Sequence, residues 1–383
     1  MGKTFTRIQS KEFTGFAHKI KEDLVNKNVL FLGTEMGLFA SLDGGVEWFR
    51  MKNNIPEYAL TRDIQIHPRE HSLVVGTHGR GIYVIDDISV IRNMSKSIAE
   101  KNVVLFDTKE MELTTGKYGG GSPFSGGWVA GNPDDIKPFQ YYLKDRVMNG
   151  EVKMEVLDME GKLIQSLNTT KRKGINKVYW NQRMKPAKVA EGGTKLDFGA
   201  FGAPKVLPGN YQLKLIVGNQ TFMDTFQLIH QDKENYTLAD RKLQYDVCMK
   251  YYYMHEELAR TVESISNQQK EIRELKDKMK NKKNVLLAQR YLDSLENLRS
   301  NLLATKQKSI FADEEKLRER ISDAYASVVG EEQRPSNLVI DRIQTLQTEV
   351  NKSETDFKSI QNQFHSKYEK AVKQEKLSRS MKP

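Results

Sequence analysis

The stretch Ser41-Leu42-Asp43-Gly44-Gly45-Val46-Glu47-Trp48 constrains this chain more than any other, because S-x-D-x-G-x-x-W is the spacing of a β-hairpin turn closed by its own side chains. The Ser41 and Asp43 oxygens can accept from turn N–H groups, and Gly44 and Gly45 can take positive φ. Trp48 leaves the turn as an apolar anchor expected to pack between neighbouring sheets. Half of the pattern recurs, since Gly2–Ile8 aligns with Gly45–Met51 at an offset of 43 residues. The same offset relates Leu30-Phe31-Leu32-Gly33-Thr34 to Leu73-Val74-Val75-Gly76-Thr77. One inserted residue later, Gly37-Leu38-Phe39 matches Gly81-Ile82-Tyr83.

A period in the low forties with several short apolar strands per period predicts propeller blades. The Val29–Leu32 and Leu73–Val75 runs are apolar at every position, as expected of sheets covered on both faces. On these residues, 1–93 resembles the last blades of a bacterial-neuraminidase-repeat propeller of the sortilin-like type, whose box is the Asp-box. The family consists of large secreted proteins often labelled glycosyl hydrolases. The resemblance implies that Ser41, Asp43, Gly45 and Trp48 are structural, and that the parent protein is extracellular, periplasmic or at the cell surface. A ring needs at least four blades and here there are about two, with Met1 falling inside a box. The chain is therefore expected to be the C-terminal piece of a longer protein whose upstream propeller is its partner.

At 383 residues two or three domains are expected, and 38% hydrophobic with 29% charged residues points to a long solvated helical part. Single Cys248 excludes an internal disulfide framework and reads as a buried, inert thiol. The first thirty residues hold no apolar signal-peptide core, and no run is long enough for a membrane span.

The repeat stops after Asp87. Residues 94–136 read as a linker, with Asn102–Phe106 a short strand and Gly116, Gly119, Gly120, Gly121, Gly126, Gly127 and Gly131 a loop around Trp128. Residues 137–232 read as a β-sandwich: Val152, Met154 and Val156 alternate with Lys153 and Glu155, and turns fall at Met159–Lys162, Pro208–Tyr211 and Gly218-Asn219. The order G-x-N-x-V-x-W (Gly174–Trp180) then P-G-x-Y-x-L (Pro208–Leu213) resembles the immunoglobulin-like module of flagellar hook-capping proteins. Asn132-Pro133 and Tyr141-Tyr142-Leu143 look like its entry. Residues 236–378 carry four apolar stripes at helical spacing, beginning at Leu243, Val285, Leu317 and Ile343. These predict a monomeric antiparallel bundle or extended helical hairpin. The fold class is thus multidomain β plus α: partial propeller, sandwich, bundle. Because the sandwich and bundle have their own cores, removal of residues 1–136 is expected to leave the main thermal transition in place.

The net charge of +10 invites a nucleic-acid reading. The densest basic run (Lys276, Lys278, Lys280, Lys282, Lys283) falls at a helix end, where cations complement the dipole. No aromatic–basic platform accompanies it, so no nucleic-acid partner is expected. His67, His71 and His78 sit in strand–turn–strand sequence with no cysteine nearby, so neither metal nor cofactor is expected. Asp86 and Asp87 are a candidate carboxylate pair, but neighbours on a strand point to opposite faces. Arg80 could meet a sugar carboxylate, as sialidase arginines do. His78, Arg80, Asp86 and Asp87 are therefore the candidate ligand contacts, and no catalytic residue is assigned, since glycoside hydrolysis needs two carboxylates across the scissile bond. The expected role is a non-catalytic region of a protein that binds glycan or protein ligands. The alternative is that the parent is a sialidase-like or xyloglucanase-like glycoside hydrolase whose catalytic blades lie upstream.

Overall fold

Extended, half-apolar segments fill the first two thirds of the protein and amphipathic helices the last third. The structure, a computed structural model, describes residues 7–8, 10–13, 15–52, 54–108, 110–113, 137–192, 202–230, 236–304, 314–330 and 332–377. The partial box at Gly2–Ile8 lies almost wholly outside the described residues. The glycine-rich loop around Trp128 and the Asn132-Pro133 step lie wholly outside them.

Strands β1 (Ala17–Glu22), β2 (Leu30–Thr34), β3 (Gly37–Ser41) and β4 (Phe49–Arg50) form an antiparallel meander. The tight β2–β3 turn works because Gly37 takes φ +128° and Thr34 Oγ1 accepts from the Met36 N–H at 3.0 Å. Strands β5 (Thr61–Ile66), β6 (Leu73–Thr77) and β7 (Ile82–Ile85) form a second, three-stranded meander. The two sheets stack through Phe31, Leu38 and Ala40 on one side and Ile64, Leu73 and Val75 on the other. Gly33 lets them close: a Cβ there would stand 2.7 Å from Thr61 Cγ2.

Helix α1 (Ser89–Asn93) returns to the first sheet, where Arg92 Nε and Nη2 donate to the buried Asp23 carboxylate at 2.8 Å each. After α2 (Lys96–Ala99), the segment expected to be linker supplies two further strands, the first of them the short strand expected at Asn102–Phe106. These are β8 (Val103–Leu105), paired with β10 (Phe139–Leu143), and β9 (Glu110–Glu112). The remaining strands are β11 (Val152–Leu157), β12 (Leu163–Leu167), β13 (Gly174–Val178), β14 (Gly209–Val217) and β15 (Gln220–Ile229). They make a three-stranded sheet β13-β10-β8 and a five-stranded sheet β12-β11-β14-β15-β9, with β9 parallel to β15 and every other pair antiparallel. A shared core joins them around Trp180, whose ring meets Phe139, Phe226 and Tyr211, and Met111 and Leu113 from the β9 segment are buried in it.

The helices are α3 (Leu238–Lys276), α4 (Lys282–Leu302), α5 (Leu317–Val329) and α6 (Asn337–Gln374). Thr237 and Asp240 close a capping box at the start of α3, and Asn281 and Ser336 cap α4 and α6. The four apolar stripes make three legs rather than four. Lys276 meets Gln289 and Gln269 meets Glu296, so α4 runs back along α3. Gln244 donates to the Val328 carbonyl, so α5 continues the same return leg. Tyr251 OH donates to the Val339 carbonyl and Gln361 to Gln268, so α6 runs parallel to α3. The irregular segment after β13 ties the bundle to the paired sheets, since Arg318 Nε donates to the Ala190 carbonyl and Lys188 Nζ reaches Glu263. Among the described residues there is no closed barrel. Nor, among the described residues, is any helix long and apolar enough to cross a membrane.

Candidate functional site

The box turn between β3 and β4 is built by short-range side-chain chemistry. Ser41 Oγ accepts from the Gly45 N–H at 2.8 Å and donates to Asp43 Oδ1 at 2.8 Å. Asp43 in turn accepts from the N–H groups of Val46 (3.0 Å) and Glu47 (2.9 Å). Gly44 and Gly45 take φ +74° and +98°, and Trp48 Nε1 donates to the Gly45 carbonyl. Burial works to raise the Asp43 pKa, but the donors from Glu47, Ser41 and Val46 outweigh it and hold the carboxyl below its ordinary range. The Ser41 hydroxyl and the Asp43 carboxylate are thus committed to holding the turn backbone. Trp48 packs with Leu30, Leu32 and Phe39 on the face of the first sheet turned away from the second, with Phe13 edge-on at 5.7 Å. It does not sit between the two sheets, because the sheet-to-sheet seam is filled by the alternate residues Phe31, Leu38 and Ala40.

The candidate ligand residues flank β7 without converging. His78 and Arg80 are exposed in the β6–β7 turn, where Gly79 and Gly81 take positive φ and Thr77 Oγ1 donates to the Gly81 carbonyl at 2.5 Å. Asp86 and Asp87 follow the other end of β7, about 15–20 Å away at strand rise. Asp87 Oδ1 accepts from the Ser89 N–H at 3.0 Å, and the Asp86 carbonyl accepts from Lys177 Nζ at 3.0 Å. The Asp87 carboxylate is thus engaged in the turn into α1, and the Asp86 backbone in the contact with the paired sheets. His67 Nδ1 accepts from the Glu70 N–H, which fixes it as a turn residue. No cluster of metal-ligating side chains occurs among the described residues. Burial pushes the Cys248 thiol up to about 12, which keeps it protonated and unreactive.

Two charged assemblies were not anticipated from sequence spacing. At the junction of the paired sheets and the bundle, Glu332 bridges Lys205 and Arg241, and Arg183 Nη1 donates to the Val329 carbonyl at the end of α5. Burial pulls the Lys205 and Arg183 pKa values down, as expected for cations enclosed as fasteners. The second is an open cleft of about 220 Å³ beside β4, lined by Arg50, Lys52, Glu57 and an apolar floor. Its one sequence signal is the hairpin register that sets Arg50 opposite Phe39.

No family model and no curated protein matches this chain. Among solved structures it is similar to the extracellular domain of a one-component system from B. thetaiotaomicron, with 12% identity and a TM-score of 0.16 over 58% of this chain. The chain spans 27% of that neighbour's length, and a superposition so loose carries no argument about fold or activity.

Proposed function

We propose that this chain is a non-catalytic structural and interaction region of a larger Asp-box propeller protein. Its first two sheets would serve as propeller blades and the paired sheets as an immunoglobulin-like sandwich carrying the helical bundle. One observation supports the reading above the others. Leu38 and Ala40, fully buried against the second sheet, have as repeat equivalents Ile82 and Val84, which are 73% and 55% exposed. Gly33, whose missing side chain admits Thr61 of the next sheet, has as its equivalent Gly76, where a Cβ would meet only Asp63 of its own sheet, at 3.8 Å. The second sheet thus carries the same surface that the first uses to receive a neighbour, with no described residue upon it. A further sheet of a parent propeller is the occupant this surface fits, and glycan or protein ligands would bind to the assembled whole.

The test is co-expression of the chain with the polypeptide encoded immediately upstream of it. The two should co-purify, and Ile82→Lys with Val84→Lys should abolish the association while leaving the chain folded. Association that survives both substitutions overturns the reading.

A further inference from the structure

Helix α4 begins with the wrong charges. Its first two residues are Lys282 and Lys283, and no acidic residue lies in its first turn. A helix N-terminus carries a partial positive charge, so lysines placed there are repelled by it. The dipole favours Arg273 and Lys276 in the last turn of α3, but it does not account for these two.

The fold adds more of the same sign around them. The α3–α4 turn contributes Lys278 and Lys280, and the end of α6 contributes Lys373 and Lys376. Glu375 joins the two segments, its carboxylate accepting from the N–H groups of Asn281 (2.9 Å) and Lys280 (3.3 Å) and from the Asn284 amide (3.0 Å). All six lysines are exposed, and none forms an ion pair among the described residues. Elsewhere in the bundle cations are matched: Lys358 with Glu354, Arg320 with Glu349, Arg334 with Asp240. Here the carboxylates of the two segments are exposed Asp277 and Glu375, and Glu375 spends its oxygens on the start of α4. Lys373 and Lys376 lie within two residues of Glu375, and Lys280, Lys282 and Lys283 within two of Asn281. At helical rise that spreads their backbones over about 5–8 Å along the axis. The screening length at physiological ionic strength is about 8 Å, so one flat surface can attract them all.

We propose that this end of the bundle is an electrostatic docking surface for a membrane bearing anionic lipid headgroups. Lysines are compact, hydrated point charges without the arginine fork that grips a single phosphate, which suits a field of headgroups. The rings at the same end, Tyr291 and Tyr368, are buried in the bundle, so neither can stack on a nucleic-acid base. Helix ends brought together make a blunt projection, whereas a nucleic-acid strand is followed by a charged groove. Attraction of this kind is reversible and falls with salt. The lysine end belongs to the bundle and needs no neighbour on the second sheet.

The experiment is co-sedimentation of the full chain with vesicles of phosphatidylglycerol and phosphatidylcholine in equal parts. Phosphatidylcholine vesicles are the neutral control, and heparin and a duplex oligonucleotide are the soluble polyanions. The chain should sediment with the anionic vesicles at about 0.1 M salt and be released at about 1 M, where the screening length falls to about 3 Å. Lys282→Gln with Lys283→Gln should weaken binding about thirtyfold, at about fivefold for each lysine near an anionic surface. Those changes relieve the start of α4, so its thermal unfolding should be unchanged or shifted upward. Removing the same charge from the sheets, at exposed Lys27 and Lys162 (both to Gln), should leave binding as it was. Equal weakening by that second pair would mean that net charge alone drives binding, and overturns the proposal. So does binding unchanged in folded Lys282→Gln with Lys283→Gln. Failure to sediment with anionic vesicles, equal sedimentation with neutral ones, or tighter binding to heparin or the oligonucleotide also overturns it.

Discussion

Asp43 is exposed, yet its carboxylate holds two successive backbone N–H groups that no strand satisfies. Asp43→Ala should cost the N-terminal sheets about 1 kcal/mol, the usual worth of a side chain that caps free N–H groups. The loss should appear in urea unfolding followed by Trp48 fluorescence in a chain whose other tryptophans are replaced. Acid should act the same way. A carboxyl whose folded pKa is lowered contributes stability that is fully present above its unfolded value, near 3.9, and is lost as pH falls through the folded value. Exchange protection of the Val46 and Glu47 amides, corrected for intrinsic rate, should therefore fall below about pH 4. Protection unchanged down to pH 2 would contradict the assignment. The turn was legible in the sequence because the bonds of the Ser41 and Asp43 side chains all lie within five residues. The surroundings of Arg50 were not, because the rings beside it come from Phe39 and Tyr58, brought together only by the hairpin and the loop after β4.

Among the elements, short α1 is tied to the first sheet by the paired fork of Arg92 on Asp23, beside a hydrogen bond from Asn26 to the Arg92 carbonyl. Burial tends to raise the Asp23 pKa, but hydrogen bonds from Arg92 and from the N–H groups of Asn26 and Val25 lower it overall. Arg92→Ala removes the cation while leaving the carboxylate enclosed, and should destabilise the first sheet by about 3 kcal/mol. The double change Asp23→Asn with Arg92→Met should cost clearly less in the same denaturant titration. If the single change costs under about 1 kcal/mol, α1 is not fastened by this pair. Alternation made β11 and the β14–β15 hairpin legible, since Val152, Met154 and Val156 face one core and Gly218 turns the chain. Strand β9 gave no such signal. Met111 stands alone between Glu110 and Glu112, and only the edge of β15 makes those three residues a strand.

That strand changes what truncation does to the whole molecule. Removing residues 1–101 should leave the calorimetric transition of the paired sheets and bundle within a few degrees. Removing residues 1–136 also takes away β8, β9 and the core side chains Met111 and Leu113. At about 2–5 kcal/mol for each large core side chain lost, the transition should drop by 10 °C or more. Equal transitions for the two truncations would mean that β8 and β9 contribute nothing to that core. The stripes located the helices but not their directions. The apolar period says which face of each helix is buried, whereas the direction depends on contacts such as Tyr251 to Val339, far apart in the chain.

An odd number of legs has a geometric consequence. A bundle of two or four legs returns the chain to where it entered; one of three does not. Helix α3 starts beside the paired sheets, where Arg241 meets His230, and α6 ends where Glu375 accepts from the Asn281 N–H at the opposite tip. With 39 residues in α3, the two points lie about 55–60 Å apart along the axis. The helical part is therefore a strut. Its far tip, where α6 ends, stands that distance from the junction at which α3 begins.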